Sequence, residues 1–246
     1  MQQRTLNARA RFAGGVLESL LGENGMLAFI AGYVDTLGFV ALYGLFTAHV
    51  TGNFILIGSG LAGAGNGLSI KLLAFPAFVS GIVVARLLDD RLRERPESAR
   101  AVGLYLLQIA FLVAFMLAGV FAAPITNANA PLTIVCGLLG AAGMGVQNAH
   151  ARLATRSVAA NTVMTGNVTQ AVIDAFDLLA PGTAHIDRGE ARTRLVRTLP
   201  PVLAFALGAG GGAMGWLMGS FWALLLPLVL LGVLAGCASR MGRESA

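Results

Sequence analysis

Charge is what this sequence has least of. Only 12% of its 246 residues are charged against 56% that are hydrophobic, with a mean hydropathy of +0.75, and that is about half the charge share of an ordinary soluble domain. Such a chain cannot cover itself with polar surface and needs lipid as part of its solvent. Lysine is down to one residue, Lys71, and cysteine to two, Cys136 and Cys237, both inside apolar runs. That placement favours small buried residues over a disulfide framework or a metal site. The first 25 residues hold Arg4, Arg9, Arg11, Glu18 and Glu23 with no compact apolar core, so no removable signal peptide is expected.

Catalytic patterns are missing as well. The chain has no HExxH, no Cys/His cluster, no Walker loop and no paired intramembrane aspartates, so neither an enzyme nor a cofactor is expected. Ser59 with His49 or His150 is a poor imitation of an intramembrane protease, because the topology derived below puts Ser59 and His150 towards opposite faces.

What is present is a series of apolar stretches at about 25–47, 71–88, 101–122, 131–150, 198–218 and 220–238, each long enough to span a bilayer. Two shorter pieces remain, 50–64 and 162–180. A net charge of +5 and a pI near 10 would suggest nucleic acid in a soluble protein, but here the arginines flank apolar stretches, the positive-inside pattern. If both short pieces re-enter on the side they left, one face holds all 16 Arg and the other only Lys71. If both cross, the division becomes 10 against 7, and if only the first crosses it is 13 against 4. The sequence therefore predicts an all-α polytopic bundle of about six spanning and two re-entrant helices, multi-pass in the inner membrane with both termini cytoplasmic. Membrane lipids are its expected surroundings and nucleic acid is not a partner.

The same arrangement repeats. Residues 1–24 form a cytoplasmic lead; 25–122 read as span, short piece, span, span; and 131–238 read as that series again, upside down because each half crosses three times. GYVDTLGF and HVTGNF in the first half match GMGVQNAH and TVMTGNVT in the second, with Gly32 to Gly52 covering 20 residues and Gly145 to Gly166 covering 21. Inverted repeats of this kind build many transporters and channels around a site near the midplane. The strings GYVDTLGFVALYGLFTAHVTGNF and NTVMTGNVTQAVID resemble the YoaK-type family of small multi-pass bacterial membrane proteins across essentially the whole chain. The resemblance implies an inner-membrane protein and supplies no substrate and no site residue.

The candidate pathway residues follow from the cost of polar groups in lipid. Thr51, Gly52 and Asn53, and again Thr165, Gly166 and Asn167, begin the short helices, where Thr and Asn can cap free N–H groups and Gly permits a tight turn. Facing helix N-termini at the midplane would present donors and partial positive charge to a solute; the plain alternative is a well-capped packing turn. Asp35 is the one carboxylate deep in a span, with Gln147 or Asn148 as its inverted counterpart, and is expected to face a cavity or a partner. His49 and His150 can titrate near neutrality. Asp174 and Asp177 share a helix face and are expected to pair with arginines of 181–197. Pro200 and Pro201 suit a helix start, Pro76 and Pro227 a kink, and the glycine-rich run 208–219 close packing within the chain or in a homodimer. A small-solute transporter or channel, carrying a small molecule or an ion, is the functional expectation, with a membrane scaffold as the alternative. If the halves are equivalent, Asn53→Ala and Asn167→Ala impair function alike.

Overall fold

The structure, a computed structural model, describes residues 14–153, 164–179 and 187–244, and these contain helices and no strand. Helix α1 covers 14–21. It is followed by α2 (Glu23–Ala41), α3 (Gly52–Leu61), α4 (Leu68–Arg91), α5 (Glu97–Ala122), α6 (Pro131–Leu153), α7 (Met164–Leu179), α8 (Arg188–Gly219), a 3-10 turn at Ser220–Leu224, and α9 (Leu225–Glu244). Among the described residues five continuous stretches are long and apolar enough to cross a membrane: α2, α4, α5, α6 and a run of 55 residues, Arg188–Gly242. That last run would measure about 80 Å if straight, twice what a bilayer needs. Ser220, at φ 49° and ψ −134°, breaks it into α8 and α9. The chain is a polytopic α-helical bundle.

Glycines decide which helices pair. A side chain at Gly32 of α2 would place its Cβ 2.2 Å from the Phe205 carbonyl oxygen of α8, and one at Gly208 would fall 2.1 Å from the Phe29 oxygen of α2. The other pair repeats this reciprocal contact: Gly145 of α6 would meet the Phe78 oxygen of α4 at 2.2 Å, and Gly81 of α4 the Ala142 oxygen of α6 at 2.1 Å. In each case the carbonyl belongs to the residue three before the partner glycine. Without Cβ atoms the backbones approach closely enough for Cα–H···O contacts, the way small residues hold membrane helices together where no hydrophobic effect does so.

Because Gly208 and Gly212 face Phe29 and Tyr33 in that order, α2 and α8 run parallel, and α4 and α6 do the same. Helix α5 returns beside α6, and α9 beside α5, where Gly242 of α9 meets Ser98 and Phe221 of the 3-10 turn meets Gly119. Helices α2 and α6 sit innermost, each with 67% of its apolar window buried against 28% for α4. The arginines of the described helices and their short links therefore gather at one end of the bundle, with Lys71 at the other. At the arginine end Asp89 is buried against Arg100 Nη2 (2.6 Å) and Arg86 Nη1 (3.2 Å), tying α4 to α5.

Two expected boundaries need correction. The stretch 25–47 is not one span: α2 stops at Ala41 because Tyr43 (φ 57°) and Gly44 (φ 78°) turn the chain back. The last long pair begins at Arg188, not at 198. Asp187 caps the new start by accepting from Gly189 N, and Arg194 is held by Asp174 and Glu190. Pro200 and Pro201 consequently lie inside α8 rather than at its start. Pro227 falls in the first turn of α9, where a missing N–H costs little; the carbonyl four residues before it, Ala223 O, accepts from the Tyr33 hydroxyl at 3.0 Å.

Candidate functional site

After Tyr43 the chain descends along the inside of α2. Leu45 reaches Gly137 and Ile70, and the Thr47 methyl lies between Gly38 (2.9 Å to an added Cβ) and Gly140 (3.2 Å). Gly140 is nine residues into α6, so this point is about 14 Å below the start of that helix. Residues 52–61 then climb back as α3, and Lys71 closes the excursion. Its buried ammonium donates to Tyr43 O at 2.8 Å and to Asn66 O. The departure and return points are thus held by one side chain at one end of the bundle. With ten residues, α3 is too short to cross.

A turn at this depth has backbone N–H groups that no water can satisfy, and Asp35 satisfies them. Its Oδ1 accepts from Thr47 N at 2.7 Å, Ala48 N at 2.8 Å and Thr47 Oγ1 at 3.3 Å. Its Oδ2 faces His49 Nδ1 at 2.8 Å. The carboxylate is 4% exposed, whereas the His49 side chain is 28% exposed and lies edge-on to Phe205 of α8, ring centroids 5.1 Å apart. One oxygen therefore anchors the turn and the other joins an imidazole that is partly exposed. Phe205 is in the middle of α8, 14 residues from its end at Gly219, which puts the pair near half depth.

Asn53 does something different from the expected capping. It is fully buried and clamps one residue of the descending strand of chain: Nδ2 donates to Phe46 O at 2.8 Å and Oδ1 accepts from Phe46 N at 3.0 Å. Both amide functions are used. Thr51 is exposed and makes no side-chain cap on α3. Gly52 lies under the Phe46 ring, where an added Cβ would come within 3.0 Å.

The second set of candidates does not assemble the same way. Gln147 accepts from Gln108 Nε2 at 2.7 Å and donates to Leu27 O at 2.9 Å, a buried bridge among α5, α6 and α2. Asn148 holds the position of Asp35, three residues beyond its paired glycine, and is half-buried. Thr165 and Gly166 are exposed at the start of α7, and among the described residues Asn167 Nδ2 is buried without a hydrogen-bond partner. The approach to this turn lies outside the described residues. Asp174 is buried and receives Arg194 Nε at 3.0 Å and Nη2 at 2.9 Å, a partner in α8 rather than in a loop. Helix α3 packs on α4 and α7 on α8, and among the described residues α3 and α7 do not touch.

Sequence reasoning found Asp35 and His49 but overlooked Lys71 as the lock of the turn and Gln108 as the partner of Gln147. The isolation of Lys71 on an otherwise arginine-only chain was the available signal for the first. Among the described residues no group of three or more His, Cys, Asp or Glu could hold a metal.

The profile of the family described as "Protein of unknown function (DUF1275)" matches residues 25–237, and the chain belongs to this family. It is also similar to the UPF0700 transmembrane protein YoaK of Bacillus subtilis (strain 168), at 25% identity over 155 residues. That match covers 61% of this chain and 64% of the relative, less than two thirds of its length. No solved structure matches. The resemblance carried by the GYVD and TGN strings is thereby established.

Proposed function

We propose that the protein is a proton-coupled carrier or channel for a small solute, set in the bacterial inner membrane with its arginine end in the cytoplasm, and that Asp35 and His49 bind the coupling proton. The observation that carries this reading is the 2.8 Å Asp35–His49 contact at the base of a re-entrant turn. An acid deep in a membrane bundle marks a functional site by default, and an imidazole is the side chain suited to exchanging a proton near neutral pH. The carboxylate stays fixed by its Oδ1 donors, and binding one proton would turn the carboxylate–imidazole pair from a net charge of −1 into an ion pair of net charge zero, with release reversing the change. The matched glycine contacts of α2–α8 and α6–α4 support an inverted repeat of 25–122 and 131–238, the architecture in which one site is reached alternately from two sides.

A second reading, a membrane scaffold without transport, is favoured by the separation of α3 from α7 and by the Gln108–Gln147 bridge through the interior. Proteoliposomes containing a trapped pH-sensitive dye separate the two. A panel of small solutes should evoke proton movement with wild-type protein, and Asp35→Asn and His49→Gln should abolish it. Traces identical to protein-free vesicles for every solute would leave the scaffold reading.

A further inference from the structure

A cavity of about 630 Å³ opens at the arginine end, between the start of α2, the start of α5 and the end of α9, with His150 of α6 in its wall. It is remote from the re-entrant turn, which descends from the other end. Met26, Val233 and Leu234 make its walls mainly apolar, and three polar groups converge in it. The Tyr105 hydroxyl donates to Glu23 Oε1 at 2.6 Å, and the Tyr105 ring meets the His150 ring edge-on at 4.4 Å between centroids. His150 is 0% exposed, and among the described residues neither of its ring nitrogens has a hydrogen-bond partner. Its Nε2 is 3.9 Å from Glu23 Oε1, beyond hydrogen-bond reach. Glu97 adds a second carboxyl group to the lining, and no Arg or Lys is among the described residues there.

We infer that this cavity binds an apolar molecule carrying a protonated amine. The volume is that of a small-molecule site, mostly apolar with a few convergent polar groups. A buried polar atom without a partner is costly, and the unpartnered imidazole lies in the wall of this space, its Nε2 3.9 Å from Glu23 Oε1. Tyr105 occupies Glu23 Oε1. An ammonium completes the arrangement by donating to the other Glu23 oxygen and to the imidazole lone pair, while its apolar body covers Met26, Val233 and Leu234. An alcohol of the same shape leaves the carboxylate without a counter-charge, and a carboxylate ligand meets two like charges. The amine could reside on a free amphiphile or on an aminophospholipid headgroup.

The wall carries its own reporter, because Cys237 lines the cavity and is exposed while Cys136 is buried. The full chain with Cys136→Ala, in nanodiscs of phosphatidylglycerol, is alkylated with a maleimide in the presence of dodecylamine, dodecanol or dodecanoate. Dodecylamine should slow Cys237 labelling at least five-fold and saturably, the alcohol and the acid should not, and Glu23→Gln, which keeps an acceptor for Tyr105, should lose the protection. If nanodiscs containing phosphatidylethanolamine show that Glu23-dependent protection before any amine is added, the lipid headgroup is the source. Equal protection by alcohol and amine, protection unchanged in Glu23→Gln, or none from either amine source overturns the inference. Should Glu23→Gln fail to fold, the amine–alcohol difference in the unmutated cavity decides.

Discussion

Gly32 against Phe205 and Gly145 against Phe78 are the same contact made twice, yet three residues further along each helix the chemistry departs, to Asp35 in α2 and Asn148 in α6. Around Asp35 a turn is drawn down to half depth and fixed by four donors or acceptors on one carboxylate. In the second half the buried acid is Asp174, which is held instead by an arginine of the neighbouring helix. The frame comes from where side chains are absent and backbones can touch. The chemistry comes from a few polar side chains that need not be repeated. A duplicated frame can thus keep one half as a scaffold while the other carries a titratable pair.

The largest expected effect tests the shared part of that comparison. Gly32→Leu and Gly145→Leu should each prevent assembly, because even a Cβ would fall 2.2 Å from a backbone oxygen, and separating two packed helices exceeds the usual overpacking cost of about 1–3 kcal/mol. Yield of monodisperse protein by size-exclusion chromatography checks this. Tolerance of one substitution but not the other would break the equivalence of the frames.

Asp35→Ala comes next, since it strands the Thr47 and Ala48 N–H groups away from water at about 1–3 kcal/mol each; its unfolding midpoint should drop well below that of wild type. Asn53→Ala and Asn167→Ala then separate the two TGN turns. The first frees both backbone groups of Phe46 and should cost about 1–3 kcal/mol, while the second removes an amide nitrogen with no hydrogen-bond partner among the described residues and should change stability by no more than about 0.5 kcal/mol. Equal losses would restore the symmetric picture that the sequence suggests. Asp35→Asn keeps the Oδ1 acceptor and can donate to His49 Nδ1, so the fold persists to within about 1 kcal/mol. Its signature is instead a transport rate that no longer varies with pH, and an unchanged pH profile would remove Asp35 from proton coupling.

Hydropathy and arginine placement made the spans legible, because lipid imposes length and charge rules that act on each segment alone. The re-entrant nature of 50–64 was also within reach, since ten helical residues and a lone Lys71 leave few alternatives. Where α2 ends was not. Residues 42–47 are as apolar as the helix before them, and the positive-φ turn at Tyr43 and Gly44 is held inward by contacts from Asp35, Asn53 and Lys71 that lie far away in the sequence. The site was half legible for the same reason. Asp35 stands out by its charge, but the use of Asn53 as a clamp on Phe46 depends on a contact seven residues back that no helical or strand period contains. The extension of α8 to Arg188 was hidden by its charge, which Glu190 offsets within the helix and Asp174 of α7 offsets only once the two helices are side by side.

Single-cysteine accessibility in sealed vesicles, on a background without Cys136 and Cys237, tests the re-entrant turn most directly. Cysteines at positions 49 and 66 should both label from the side opposite to one at position 94, with 49 slower than 66. Labelling of 66 from the same side as 94, or complete inertness of 49 to aqueous reagents, would mean that the segment crosses or is merely packed, and the Asp35–His49 pair would have no route to a proton.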